Sequence, residues 1–377
     1  MKPPVPLSVL DLVPVSSGST AAQALRNTEE LARRTEEFGY HRYWLAEHHL
    51  NPGVAGTTPA LVIQLVARAT RTIRVGSGAV QLGHHTPLAV VEQFGLLDAL
   101  FPGRVDLGLG RSGPPRLQPG ARPGAPPPAA PGRHTPEGLY IPPRFTGFAR
   151  LLDSPRFRLH QALLQQPKAE TPDYAEQVDD VLALLAGTYT DGEADARPVP
   201  GAGAGVAVWV LGSSGGQSAE VAGERGLPFA ANYHVSPGTV LDAVEAYRAA
   251  FRPSAALAEP YVLVSADAVV APDDATAREL ATGYAPWVRS IRSAEGAIPF
   301  PTPEEAAALP WTDEDRELVA DRVDTQFVGS PDTVVKGLAT LREATGADEL
   351  LITTITHGHA DRVRSYELLA RAWAEAG

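Results

Sequence analysis

Short apolar runs alternate along this chain with longer stretches whose apolar positions recur every three or four residues. Runs at 7–13, 74–82, 104–108, 206–211, 229–232, 261–270 and 349–354, with the run opening at Tyr43-Trp44-Leu45-Ala46, read as buried strands. Helical spacing follows over 21–38, 58–68, 87–100, 174–185, 236–251, 330–345 and 361–374, and Gly212-Ser213-Ser214-Gly215-Gly216 leads straight into another helix. Thr20 and Asp173 are placed to cap helices, and Pro59 suits a first helical turn. The pattern is interrupted twice, at about 112–173 and 271–327. In the first interruption, 112–136 is rich in Pro, Gly and Ala and reads as a disordered insertion or as a mobile lid. The rest of it, 137–173, reads as mostly irregular. The second holds a helix near 273–280, and Trp287, Trp311 and Phe327 anchor it as a packed segment. Eight strands each followed by a helix predict the α/β class: one (β/α)8 TIM barrel with two long insertions, in a single domain.

Composition narrows the function without naming it. A net charge of −12 over 377 residues disfavours a nucleic-acid partner. No apolar run approaches the roughly 18 residues of a membrane span, and the opening Met-Lys-Pro-Pro-Val-Pro has no apolar region of the signal-peptide kind, so no signal peptide and a cytoplasmic protein are expected. The chain has no cysteine, which removes disulfides, thiolate metal sites and cysteine nucleophiles together.

In such a barrel the chemistry gathers where strands end. The second strand ends in Glu47-His48-His49, polar groups that are costly at the end of a buried run. Side chains alternate along a strand, so only one of His48 and His49 should face the barrel mouth. Other strand ends contribute Asp11, Gly78-Ala79, Gly110-Arg111, Asn232, His234 and His357. A buried Asp11 needs a partner or a ligand. Gly78 reads as a bulge that lets backbone approach a flat ring. Leu211-Gly212-Ser213-Ser214-Gly215-Gly216 is either a phosphate site at a helix N-terminus or a plain tight turn.

These residues resemble a family. Trp-Leu-Ala-Glu-His-His, Gly-Ser-Gly-Ala-Val, His85-Thr-Pro-Leu with Glu92-Gln93, and Leu107-Gly108-Leu109-Gly110-Arg111 are similar to the bacterial luciferase-like flavin monooxygenases. The match is dense from residue 7 to 111, and resumes at 211–216 and in the last 50 residues. The chain most resembles members found in aromatic polyketide biosynthesis, a secondary metabolism that yields antibiotics. The resemblance implies reduced FMN and O2, with a C4a-hydroperoxide oxygenating an organic small molecule. It implies a separate NAD(P)H:flavin reductase and a homodimer, with the helices after strands two and three as candidate contacts. His48 aligns with the family's catalytic histidine, and a near-neutral pKa would suit its acid–base role. Gly78-Ala79 falls at a non-proline cis peptide behind the flavin. Arg111, Ser213 and the N–H groups of Ser214 to Gly216 would hold the FMN phosphate. Glu47 and His49 become supporting residues. The chain departs from luciferase at Gly110, which stands where luciferase has a cysteine beside the flavin. Three other readings stay open: a flavin-binding protein without turnover, an F420-dependent oxidoreductase, whose relatives carry an aspartate pattern instead of Glu-His-His, and a metal-dependent hydrolase built on His48, His49, His357, His359 and Asp361.

Overall fold

In the computed structural model, which describes residues 5–112, 130–147, 151, 154–166 and 169–376, eight parallel strands close into a ring. They are β1 (Leu7–Asp11), β2 (Arg42–Leu45), β3 (Arg74–Ser77), β4 (Val105–Gly110), β5 (Ala207–Gly212), β6 (Phe229–Asn232), β7 (Val262–Val270) and β8 (Glu349–Thr353). β1 pairs with β8 (Leu7 opposite Leu350), and β4 pairs with β5 (Ala207 opposite Asp106), so no strand of the ring is left with a free edge.

Alternation along the strands builds two cores. Leu10, Trp44, Trp209, Ala230, Leu263 and Leu351 fill the barrel interior as one cluster. Trp44 meets Trp209 edge-on at 5.1 Å, and Trp44 Nε1 donates to Asp106 at 3.0 Å. Their neighbours Val9, Tyr43, Leu45, Val75 and Leu107 point outward and pack under the helices. Those helices are α1 (Ala21–Glu37), α2 (Pro59–Ala69), α3 (Pro87–Leu100), α4 (Tyr174–Ala186), α5 (Gln217–Glu224), α6 (Val240–Ala250), α7 (Pro331–Thr345) and α8 (His359–Glu375). Thr20 caps α1 by accepting from Gln23 N, and Asp173 caps α4 by accepting from Ala175 N. The predicted (β/α)8 barrel is therefore present.

The structure corrects several local expectations. The third strand does not run through 74–82: it stops at Ser77, the Gly78-Ala79 peptide is cis, and Val80–Gln81 then pairs with Leu109 and Gly110. The last helix starts at His359 behind Gly358, two residues before Asp361. Within 137–173 the segment Pro155–Leu164 is a helix capped by Ser154. It buries no residue fully and leaves Leu159 and Leu163 exposed, so it carries no clear apolar stripe for a sequence reader to find. The segment proposed as lid or insertion lies mostly outside the described residues. The second insertion is packed, as expected. Helices Asp274–Leu280, Tyr284–Arg292, Pro303–Ala308 and Asp313–Val323 precede a strand, Phe327–Gly329, that pairs with the end of β7.

Asp11, predicted beside the site, is instead a structural anchor. Its side chain is fully buried and accepts from Arg362 Nη2 at 2.8 Å, Thr28 Oγ1 at 2.6 Å, Val13 N at 2.7 Å and the Tyr43 hydroxyl. Burial alone would raise its pKa. The Arg362 charge and the hydroxyl hydrogen bonds outweigh that and hold the carboxyl below its ordinary value. The pair joins β1 to α8, so Arg362 answers Asp11 and not its neighbour Asp361. Removing one member strands a buried charge. Arg362→Leu should therefore lower the unfolding free energy by about 3–5 kcal/mol in chemical denaturation. A loss of under about 1 kcal/mol would show that Asp11 is adequately held by its other donors.

Candidate active site at the barrel mouth

A cavity of about 450 Å3 opens where the strands end. β2 delivers Ala46, Glu47 and His48 to it; β3 is followed by Gly78 and Ala79; β4 delivers Gly110 and Arg111. β5 ends in Leu211 and Gly212, with Ser213, Ser214 and Gly216 beyond, and β6 leads to Asn232 and His234. Two surface hollows elsewhere, of about 590 Å3 between α7 and α8 and about 510 Å3 between α6 and α7, lie between outer helices away from the strand ends, so the strand-end cavity is the candidate site.

Glu47 fixes the end of β2. Its carboxylate accepts from Gln81 N at 2.8 Å and meets His49 Nε2 at 2.8 Å and His85 Nε2 at 2.9 Å. Burial would raise this carboxyl, but the hydrogen bonds from His85, His49 and Gln81 hold it below its ordinary value. Gln81 Nε2 returns a bond to Glu47 O at 2.6 Å. His49 is thereby turned to Glu47 and does not line the cavity, so one histidine faces the mouth as expected, although the strand has ended at Leu45 and Glu47 lines the cavity beside His48.

His48 keeps an accessible edge, but its Nδ1 is sealed from solvent and has no hydrogen-bond partner. Burial depresses its pKa to about 4; Glu47 opposes this, and the charges of His49 and Arg322 add to it. The expected near-neutral pKa is therefore corrected: the imidazole is neutral at pH 7. His234, whose Nδ1 lies 2.6 Å from Ser265 Oγ, is pushed to about 3 by burial, Arg322 and His48. Asn232 accepts from Ser236 N at 3.1 Å and shapes the turn after β6.

The turn after β5 leads into α5, whose N-terminus at Gly216 has no side-chain cap. The leading N–H groups of a helix lack intrahelical acceptors, so this end favours an anion. Arg111 is exposed at the same cavity. Two glycines also have packing duties. A Cβ on Gly78 would come within 2.8 Å of Leu10 and 3.3 Å of Trp44, so its smallness serves the packing beneath the cavity. A Cβ on Gly215 would lie 2.9 Å from Asp242 O, and Gly215 does not line the cavity.

His357 also lies elsewhere, with its Nε2 3.1 Å from Ser17 O. His359 pairs with Glu30 at 3.3 Å. The histidines of the hydrolase reading thus occupy separate surroundings. Among the described residues, no group of three or more His, Asp or Glu is arranged to hold a metal ion. Sequence reading missed Arg322, Ser265, Gln81 and the cavity-lining role of Trp287. Arg322 and Trp287 come from the second insertion, where no strand end marks them.

The family model for luciferase-like monooxygenases matches residues 5–141 and 148–349. A luciferase-like monooxygenase of Escherichia coli (strain K12) is 34% identical over 364 residues, covering 97% of this chain and 96% of that one. The solved structure of apo-MsnO8 is 31% identical, covers 98% of each chain and superposes with a TM-score of 0.78. The oxygenating constituent of 3,6-diketocamphane monooxygenase from Pseudomonas putida, solved with FMN, shares the fold at a TM-score of 0.65, with 20% identity and 98% coverage of each chain. A closed barrel with this strand-end cavity defines the class, and the chain belongs to the luciferase-like monooxygenase family. No helix among the described residues is long and apolar enough to cross a membrane.

The depressed pKa of His48 has a stability consequence. The unfolded chain takes up this proton near pH 6.5, whereas the folded chain resists it until about pH 4. The associated stability is full above pH 6.5 and is lost as pH falls from there toward 4. His48→Gln should flatten that part of the stability curve in denaturation measured across the range. An unchanged acid limb would mean that His48 titrates normally in the folded chain.

Proposed function

We propose that this chain is a monooxygenase that uses reduced FMN and O2 to oxygenate an uncharged organic small molecule, of the aromatic polyketide kind. The observation that carries this reading is the meeting, in one cavity, of an uncapped helix N-terminus, Arg111 and a neutral His48 with a sealed, unpartnered Nδ1. The first two suit a phosphate, and the third suits a reacting oxygen. FMN as the bound group is supported by the FMN complex of the diketocamphane enzyme, which shares the fold.

In this reading Arg111, Ser213, Ser214 and the N–H groups at the start of α5 bind the phosphate. Gly78 and Ala79 line the wall on which the ring rests, and Gly110 keeps the neighbouring wall low. Reduced FMN supplies the electrons that let O2 react. His48 is a neutral imidazole with one N–H and one lone pair, so its accessible edge can hold or receive a proton beside the reacting oxygen. Glu47, braced by His85, His49 and Gln81, keeps His48 in position. A separate NAD(P)H:flavin reductase supplies the reduced cofactor. Two copies associate through α2 and α3, where Leu61, Leu88, Leu96 and Leu100 are exposed side chains without a core to cover them.

The test is a product screen with aromatic polyketides, reduced FMN and isotopically labelled O2. Wild-type chain should place one labelled oxygen atom in a product. His48→Ala should bind FMN within about twofold of wild type yet lose at least about a hundredfold in oxygenation. Ser213→Ala should weaken FMN binding about three- to tenfold by fluorescence titration. Full oxygenation by His48→Ala would remove His48 from the chemistry, and unchanged affinity in Ser213→Ala would remove Ser213 from the phosphate site.

A further inference from the structure

The second insertion contributes two hydrogen-bond-donating side chains to the cavity wall. Arg322 and Trp287 both line it and are only 6% and 3% exposed. Arg322 is held firmly from one side: its Nη2 donates to the Tyr284 hydroxyl at 2.9 Å and lies 3.6 Å from Asp267 Oδ2. Tyr284 in turn donates to Asp267. The guanidinium sits over the Tyr284 and Trp287 rings, with centroid distances of 5.4 and 5.7 Å, and those rings stack on each other. Yet Arg322 Nε and Trp287 Nε1 are both buried without a hydrogen-bond partner.

Arginine and tryptophan donate and do not accept, so only an acceptor can satisfy these atoms. Buried donors left unsatisfied cost stability, and such exceptions mark places where a ligand group completes the pairing. The charge balance selects the kind of acceptor. Arg322 already has Asp267 as its buried counter-ion, and a second carboxylate would face that one across a short, poorly solvated distance. Burial already lifts Asp267 to about 6, against the opposing effect of Arg322, so the pocket has little tolerance for more negative charge. A carbonyl oxygen offers lone pairs without a charge.

We propose that Arg322 Nε and Trp287 Nε1 form a substrate-orienting site that receives carbonyl oxygen from an uncharged ketone or quinone. This deepens the reading of the cavity as an active site, but it does not depend on FMN, because the donors belong to the insertion and not to the strand ends that would hold the phosphate. The site would also explain how an apolar wall of Leu10, Leu12, Ile291 and Leu351 could orient a flat, oxygenated molecule instead of merely enclosing it.

The experiment compares three ligands of similar size on the full chain, with and without FMN: acetophenone, its isostere α-methylstyrene, which has CH2 in place of the oxygen, and benzoate. Calorimetry reads affinity, and infrared spectroscopy of carbonyl-labelled acetophenone reads hydrogen bonding at the oxygen. Acetophenone should bind at least about threefold more tightly than α-methylstyrene and more tightly than benzoate, with its carbonyl stretch moved to lower frequency. Trp287→Phe keeps the ring and removes the N–H. It should lose about three- to tenfold in acetophenone affinity, move the stretch back up and leave α-methylstyrene unaffected. Arg322→Gln should do the same, and Trp287→Phe keeps the test decisive if that variant unfolds. Equal binding of the isosteres, preference for benzoate, absence of binding by all three, or an unmoved stretch in Trp287→Phe would overturn the proposal. Acetophenone binding without FMN affinity would sink the flavin reading alone, and FMN affinity without carbonyl selectivity would sink this one alone.

Discussion

The barrel mouth depends on one buried carboxylate. Glu47 stands at the end of β2, where the strand ladder has stopped and backbone conformation is no longer dictated by pairing. Two of its hydrogen-bond partners tie that end to the segment after β3, Gln81 through its N–H and His85 through its ring, and His49 joins them from the turn just beyond β2. Without such a tie, His48 would sit on a loose loop. With it, a neutral imidazole is held on a rigid support. Precision at a site comes from the elements behind it, and here the support is electrostatic as much as steric.

The fold was legible because barrel strands and helices follow short-range rules. The run at β7 is buried throughout and apolar except for Ser265 and Asp267, since both its faces meet protein. Trp44 and Tyr43 separate into interior and exterior clusters through alternation alone. The two histidines also divide, His48 lining the cavity and His49 turning to Glu47, but the ladder ends at Leu45, so the bond to Glu47 and not alternation separates them. The cis peptide at Gly78-Ala79 was legible only through the family resemblance.

What sequence could not supply was long-range pairing. Asp11 sits at a strand end, as site residues do, yet its partner Arg362 is 351 positions away and converts it into an anchor. Nothing local distinguishes a carboxylate waiting for a ligand from one answered by a distant arginine. Gly78 lines the cavity as expected, and its lack of a side chain also makes room for Leu10 and Trp44; Gly215, expected to offer its N–H to a phosphate, lies outside the cavity lining and makes room for the backbone of Asp242. Arg322 was hidden for the opposite reason: it lies on a strongly acidic, exposed-looking helix, Asp313–Val323, where an arginine reads as one more surface charge.

The two arginines at the cavity illustrate how burial decides what a charge can do. Arg111 is exposed, with a long mobile stem, and suits an anion that arrives bringing its own charge. Arg322 is buried against two aromatic rings and already has a counter-ion in Asp267. Its remaining N–H is directional and its net field is small, so it suits orientation of a neutral dipole better than capture of an anion. The same guanidinium charge helps keep His48 and His234 unprotonated. A single buried cation thus reinforces what burial does to the protonation state of the site and keeps one donor unpaired, whereas an exposed cation at that position, screened by water, would do neither.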